Sequence, residues 1–205
     1  MESLTDITVD SDIKNLELYS DKYPFRLAMR ISRFENEASF NKFIRNAEKM
    51  VRGCLEYKEW KNYIIDVLGV NTCMITDESI GELSLEVHHH LPSLFAVVKA
   101  IINKKIHNKE SFSTFDIALE CMELHFQNKI GYGILIHSMH EKFHNGFLNI
   151  PIEVVRGDYK TFLIEYGEHL DEEDHDTISE RMSIQEHNCG WSKDNYKEME
   201  AAESF

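Results

Sequence analysis

Apolar residues recur at intervals of three and four from Glu35 to about Leu68. Phe40, Phe43, Ile44, Ala47, Met50 and Val51 form one stripe, and Trp60, Ile64 and Leu68 continue it. This spacing predicts helix, with Gly53 and Gly69 as breaks. Upstream, Leu16, Leu18 and Tyr19 mark the start of an edge strand, and Phe25, Leu27, Met29 and Ile31 alternate as a strand does. Residues 72–76 read as a short strand. Leu83, Leu85 and Val87 alternate with Ser84, Glu86 and His88, the pattern of a half-buried strand. Pro92 suits the first turn of a helix whose stripe is Leu94, Phe95, Val98, Ile101, Ile102 and Ile106. Ser113 with Asp116 predicts the cap of a further helix, with Phe115, Ala118, Leu119, Met122 and Phe126 on its buried face. Gly131 and Gly133 punctuate, and 134–136 reads as a second short strand. A short helix then runs from about Ser138 to His144 and stops at Asn145-Gly146. A last helix covers Tyr159 to His169. Beyond it the chain is acidic with few apolar anchors and is expected to be disordered, with Ile184, Trp191 and Tyr196 as docking side chains.

Charge sharpens this picture. The 205 residues carry a formal net charge of −14. From Asp171 to Phe205 there are eleven acids against three bases. Such a surface repels nucleic acid unless a local basic patch or a bound cation intervenes. The four cysteines stand far apart without a CxxC, as in reduced cytosolic proteins. The N-terminus is acidic where a signal peptide would be basic, and no apolar run approaches the roughly 20 residues needed to span a bilayer. The expectation is a soluble cytoplasmic protein without membrane contact. Neither a P-loop nor a GxSxG sequence occurs.

Chemistry concentrates in the histidines. Eight of the eleven lie between residues 88 and 144. His88, His89 and His90 are consecutive at the end of a predicted strand. His140 and His144 share one face of a predicted helix, one turn apart, a spacing at which two imidazoles bind one metal ion. Either feature alone is more often incidental surface. The order strand, HHH, strand, HxxxH is harder to obtain by chance.

Glu86-Val-His-His-His-Leu-Pro92, then Asn128, then Leu135-Ile-His-Ser-Met-His-Glu-Lys-Phe-His-Asn-Gly146 resembles the HNH (His-Me finger) endonucleases, and the His-His-x-x-Pro stretch is similar to their colicin DNase branch. The resemblance covers roughly residues 72 to 147. It implies an α+β, mostly helical fold with a ββα-metal core. The two strands of that core would be separated by an inserted helical pair at about 92–126. It also implies His88, His140 and His144 as metal ligands, His89 as general base and Asn128 as the residue that orients it, with Asn145 or Gln127 as alternatives. His137 would support the site or start the helix, His90 would be an exposed neighbour, and His125 is a further candidate to face the site. Lys104, Lys105, Lys129 and Lys142 would add local attraction for phosphate.

On this reading the cofactor is one divalent ion (Mg, Mn, Ni or Zn), the substrate DNA and the reaction phosphodiester hydrolysis. Many relatives carry a structural zinc on two CxxC knuckles. Here the matching places are Cys73…Thr76 and Ile136…Met139, so no structural zinc is expected. Domain organisation follows as a helical region at 1–70 for recognition or docking, the HNH-like unit at 71–170 and the acidic tail at 171–205, which offers a surface to a protein partner. The competing reading is a non-catalytic protein that keeps the scaffold and acts as a structural or binding module in a viral or phage assembly. The acidic balance and the lost knuckles favour it.

Overall fold

Asn36 opens the first helix. Its side chain accepts from Ser39 N while Ser39 Oγ accepts from Asn36 N, a reciprocal cap, and helix α1 runs Glu37–Gly53. The computed structural model describes residues 28, 29, 34, 36–77 and 85–190. After α1 come α2 (Leu55–Asn62) and a π-helical turn, Tyr63–Val67, that ends at Gly69 in the left-handed region. The helical pattern predicted over 35–68 is thus broken at Gly53 and loosened at its end. Strand β1 (Ala28–Met29) pairs with β3 (Phe112–Ser113). The rest of the predicted N-terminal strands, Leu83 of the second strand, and Trp191 and Tyr196 lie outside the described residues.

Strand β2 (Leu85–His89) pairs antiparallel with β4 (Tyr132–Ile136), so that His88 faces Gly133 and His89 faces Tyr132. Between these strands the chain forms α3 (Leu94–His107), β3 and α4 (Thr114–Phe126). Ser113 and Asp116 form the reciprocal cap predicted for α4. Helix α5 (His137–His144) follows β4 directly and packs back on β2 and β4. The fold is therefore α+β and mostly helical, with two small antiparallel pairs.

Of residues 72–76, read as a strand, Thr72 lies in a single β-bridge and residues 74–76 form a turn. Asp77 N bonds Cys73 O and Asp77 adopts φ 59°, while Met74 reaches the β4 edge through its N–H to Ile134 O at 2.8 Å.

One core links these elements. Phe43, Ile44, Ala47 and Val51 of α1 meet the apolar residues of α3 and α4, and Ile134, Leu135 and Ile136 of β4 are buried on both faces. Each buried Val, Leu, Ile or Phe among them contributes about 1.5–3 kcal/mol relative to exposure. Gly131 lets β4 enter this packing. A Cβ there would collide with the His90 carbonyl, while Gly131 O accepts from His90 N at 2.8 Å.

The acidic C-terminal segment is not free over residues 171–190. Helix α6 (Tyr159–Tyr166) leads through a 3-10 turn to α7 (Glu172–Met182). Lys99 of α3 holds Asp171 at 2.5 Å and Asp174 at 2.7 Å. Ile178 and Cys189 are buried, as is Ile184, one of the expected docking residues. Ile184 O and Cys189 O accept from Ile152 and Asn149. A few apolar anchors with paired carboxylates suffice where composition suggested disorder. No helix among the described residues is long and apolar enough to cross a membrane.

Candidate metal centre

Strand parity sorts the histidines. Successive strand residues point to opposite faces, so Glu86 and His88 share the face covered by α5, and His89 faces the other way toward α2 and α4. Gly133, opposite His88, leaves room on that face.

Helix α5 places His137, His140 and His144 three and four residues apart, along one side. His140 Nε2 and His144 Nε2 are 3.1 Å apart. Two nitrogens bound to one tetrahedral zinc at about 2.0–2.1 Å would lie about 3.3 Å apart. His88 completes the group. One nitrogen from each of His88, His140 and His144 lies within 4.8 Å of the other two. The three rings meet edge to face, with centroids 4.5–5.2 Å apart.

The chemistry of this donor set fits a divalent transition ion. His88 Nε2 is buried without a hydrogen-bond partner. Burial, reinforced by the neighbouring imidazoles, pushes the His88 pKa down to about 2, so one ring nitrogen keeps a free lone pair at neutral pH. His140 is lowered as well, by burial first, against the pull of Glu86. Glu86 organises α5 from the strand. Its Oε2 accepts from His140 Nδ1 at 2.6 Å and its Oε1 from His137 Nδ1 at 2.7 Å. With Nδ1 of His140 donating, Nε2 must present its lone pair toward His144. All-imidazole donor sets suit Zn, Cu or Ni, whereas Mg and Mn prefer oxygen.

The cleft around these residues has a volume of about 600 Å³. It is also lined by Arg52, Tyr57, Lys61 and His89.

Beneath the other strand face, His89 is 4% exposed. Its ring stacks on Tyr57 and Trp60 of α2, at 5.9 and 6.3 Å between centroids. His89 Nε2 meets His125 Nε2 of α4 at 2.9 Å, and His125 Nδ1 donates to Cys121 O at 2.7 Å.

The structure thus brings His88, His140 and His144 together and sets His89 behind them. It does not bring Asn128 to this cleft. Asn128 is exposed at φ 58° in the turn after α4, a conformation asparagine tolerates, and lines a separate cavity with Trp60, His125 and Arg156. Gln127 and Asn145 cap α4 and α5. His125 faces His89 rather than the three ligand candidates.

His90, expected to be exposed, is fully buried against Phe143. The lysines expected near phosphate are engaged elsewhere. Lys105 pairs with Glu120, Lys129 pairs with Glu165, and Lys104 sits over the Tyr166 ring. Lys142 is buried.

Sequence reading missed Glu86, although its parity with His88 was a usable signal. It also missed Arg52, Tyr57, Trp60 and Lys61, whose position depends on how α1 and α2 pack. No curated protein and no solved structure matches the chain. The profile of one family, described as bacteriophage G278-like virion protein, matches residues 1–201, and the chain belongs to that family.

Proposed function

We propose that this virion-family protein is a divalent-metal-dependent phosphodiesterase of the ββα-metal (HNH) type, acting on DNA in the infected cell. The observation that carries the reading is the convergence of His88, at the end of one strand of an antiparallel pair, with His140 and His144 on the helix that follows the other strand.

The three imidazoles would hold the ion. When bound, such an ion supplies Lewis-acid stabilisation of the charge developing on the phosphate and the leaving 3′ oxygen. The chain's own residues do the rest. Arg52 and Lys61, which line the cleft, draw in and orient the phosphate against the net negative surface. His89, which walls the same cleft, is the group that would take the proton of the attacking water. Burial first and His125 next lower its pKa, which weakens it as a base until water enters.

A second reading rests on a specific observation. His89 is 4% exposed and covered by Tyr57. In that reading the ion is a structural clamp between β2 and α5, the chain is a non-catalytic virion module, and the acidic C-terminal residues meet a neighbouring protein.

One experiment separates the two. The full chain is incubated with supercoiled plasmid and Mn²⁺, Ni²⁺, Zn²⁺ or Mg²⁺, beside His89→Ala and His140→Ala, while bound metal is measured by mass spectrometry. Nicking by the wild type, lost in both variants, supports the enzyme. Stoichiometric metal without nicking under any ion supports the clamp. Absence of bound metal defeats both.

A further inference from the structure

The hydrogen-bond chain behind the metal cleft determines which nitrogen of His89 carries the proton. Cys121 O is an acceptor only, so His125 Nδ1, 2.7 Å away, must carry hydrogen. A neutral imidazole has one N–H, so His125 Nε2 is then a bare lone pair. It meets His89 Nε2 at 2.9 Å, so that nitrogen must be the donor. His89 Nδ1 is left without a proton, and it is buried with no hydrogen-bond partner. His125 is neutral because burial pushes its pKa down to about 4. The rings are clamped as well as bonded. Trp60 packs edge-on to His125 at 4.7 Å between centroids and lies nearly parallel to His89 at 6.3 Å. His89 is also a wall of the cleft that holds His88, His140 and His144.

We infer that His125 is a positioning residue, relaying the Cys121 carbonyl to His89 so that His89 is locked as the Nε2–H tautomer with Nδ1 as its sole proton acceptor. His125 fills the place for which Asn128, on a different cavity, was the sequence candidate. The inference rests on the proposed hydrolysis only for its use. There, water must first displace the cover over the buried His89 Nδ1. An O–H bond of that water then breaks and its proton goes to Nδ1. The water oxygen forms the new P–O bond, the P–O3′ bond breaks, and the 3′ oxygen takes a proton from water in the cleft. A base with the opposite tautomer would present a hydrogen to that water instead of a lone pair.

The test reads the tautomer directly. Imidazole nitrogens of the full-length wild type, labelled with ¹⁵N, are assigned by long-range ¹H–¹⁵N correlation at neutral pH, using His89→Gln and His125→Gln to identify the signals. The expected result is a proton on Nε2 of His89 and on Nδ1 of His125. A proton on His89 Nδ1 overturns the inference, whatever the activity. His125→Gln can still accept from His89 and donate to Cys121, so it should keep the Nε2–H form. His125→Phe fills similar space without hydrogen bonds and should give a mixture of the two tautomers. An unchanged single tautomer in a folded His125→Phe chain also overturns the inference. Where plasmid nicking is present, His125→Phe should lower kcat by about 10²-fold with KM little changed, and His125→Gln should restore most of it. Wild-type protein with the expected tautomer but no nicking refutes the hydrolase reading and leaves the positioning role standing.

Discussion

Removing the Glu86 carboxylate is the most direct probe of the proposed metal site and of whether the strand orients its helix ligands. Glu86 bonds His140 Nδ1 at 2.6 Å and His137 Nδ1 at 2.7 Å, and its side chain is one third exposed. In Glu86→Ala, His140 loses the acceptor that holds its ring and makes Nε2 electron-rich. Loss of such an outer-sphere partner typically lowers metal affinity by about 10–100-fold, or about 1.4–2.7 kcal/mol. The exposure of Glu86 allows water to replace part of the bond, so the lower half of that range, about tenfold to thirtyfold, is expected. Glu86→Gln keeps a carbonyl acceptor without the charge and should fall in between. His137→Ala serves as the control. It frees one carboxylate oxygen but leaves the His140 bond, so affinity should stay within about threefold of wild type, far short of an outer-sphere loss. Isothermal titration with Zn²⁺ or Ni²⁺ at neutral pH and fixed salt measures all four proteins. If Glu86→Ala binds within threefold of wild type, Glu86 does not prepare the ligands and the outer-sphere argument is wrong. If His137→Ala weakens binding as much as Glu86→Ala, then His137, rather than the tautomer of His140, carries the effect.

Two further outcomes follow from the packing around the site. Burial pushes His125 down to about 4 and His90 down to about 3, while an unfolded histidine titrates near 6.5. Below 6.5 the unfolded chain binds protons that the folded chain refuses, so stability falls from pH 6.5 toward pH 4 and levels off below the folded values. Each of the two contributes a loss of about 2 kcal/mol at pH 5, and urea unfolding of metal-free protein at pH 7 and pH 5 should show it; equal midpoints would refute the burial argument. Gly131→Ala drives a methyl into the His90 carbonyl. It should cost about 1–3 kcal/mol and lower the melting temperature, and an unchanged melt would mean that β4 has freedom the packing does not suggest.

The elements with local causes were readable before any coordinates. The Ser113–Asp116 cap, the stop of α5 at Asn145-Gly146, the alternation through Leu85 and Val87, and the HxxxH face of α5 each depend on interactions within a few residues. Helical periodicity alone marked His140 and His144 as a pair on one face of α5; His88 joined them only through the resemblance to the HNH motif. Residues 74–76 misled because a short β-branched and apolar run suits a strand, while the bond from Asp77 N to Cys73 O closes a turn just after the Thr72 bridge. Asn128 misled because asparagine serves a left-handed turn as readily as a catalytic site.

Charge counting marked the residues after 170 as unsupported, yet Lys99, more than seventy positions away, pairs two of those acids. Local patterning marked most of the helices, the alternation of β2 and the shared face of His140 and His144. What the histidines meet depends on how distant elements pack. His89 and His125 are 36 residues apart in the chain. Their contact exists because α2 and α4 pack against the same face of β2, and long-range packing leaves no periodic trace along a sequence.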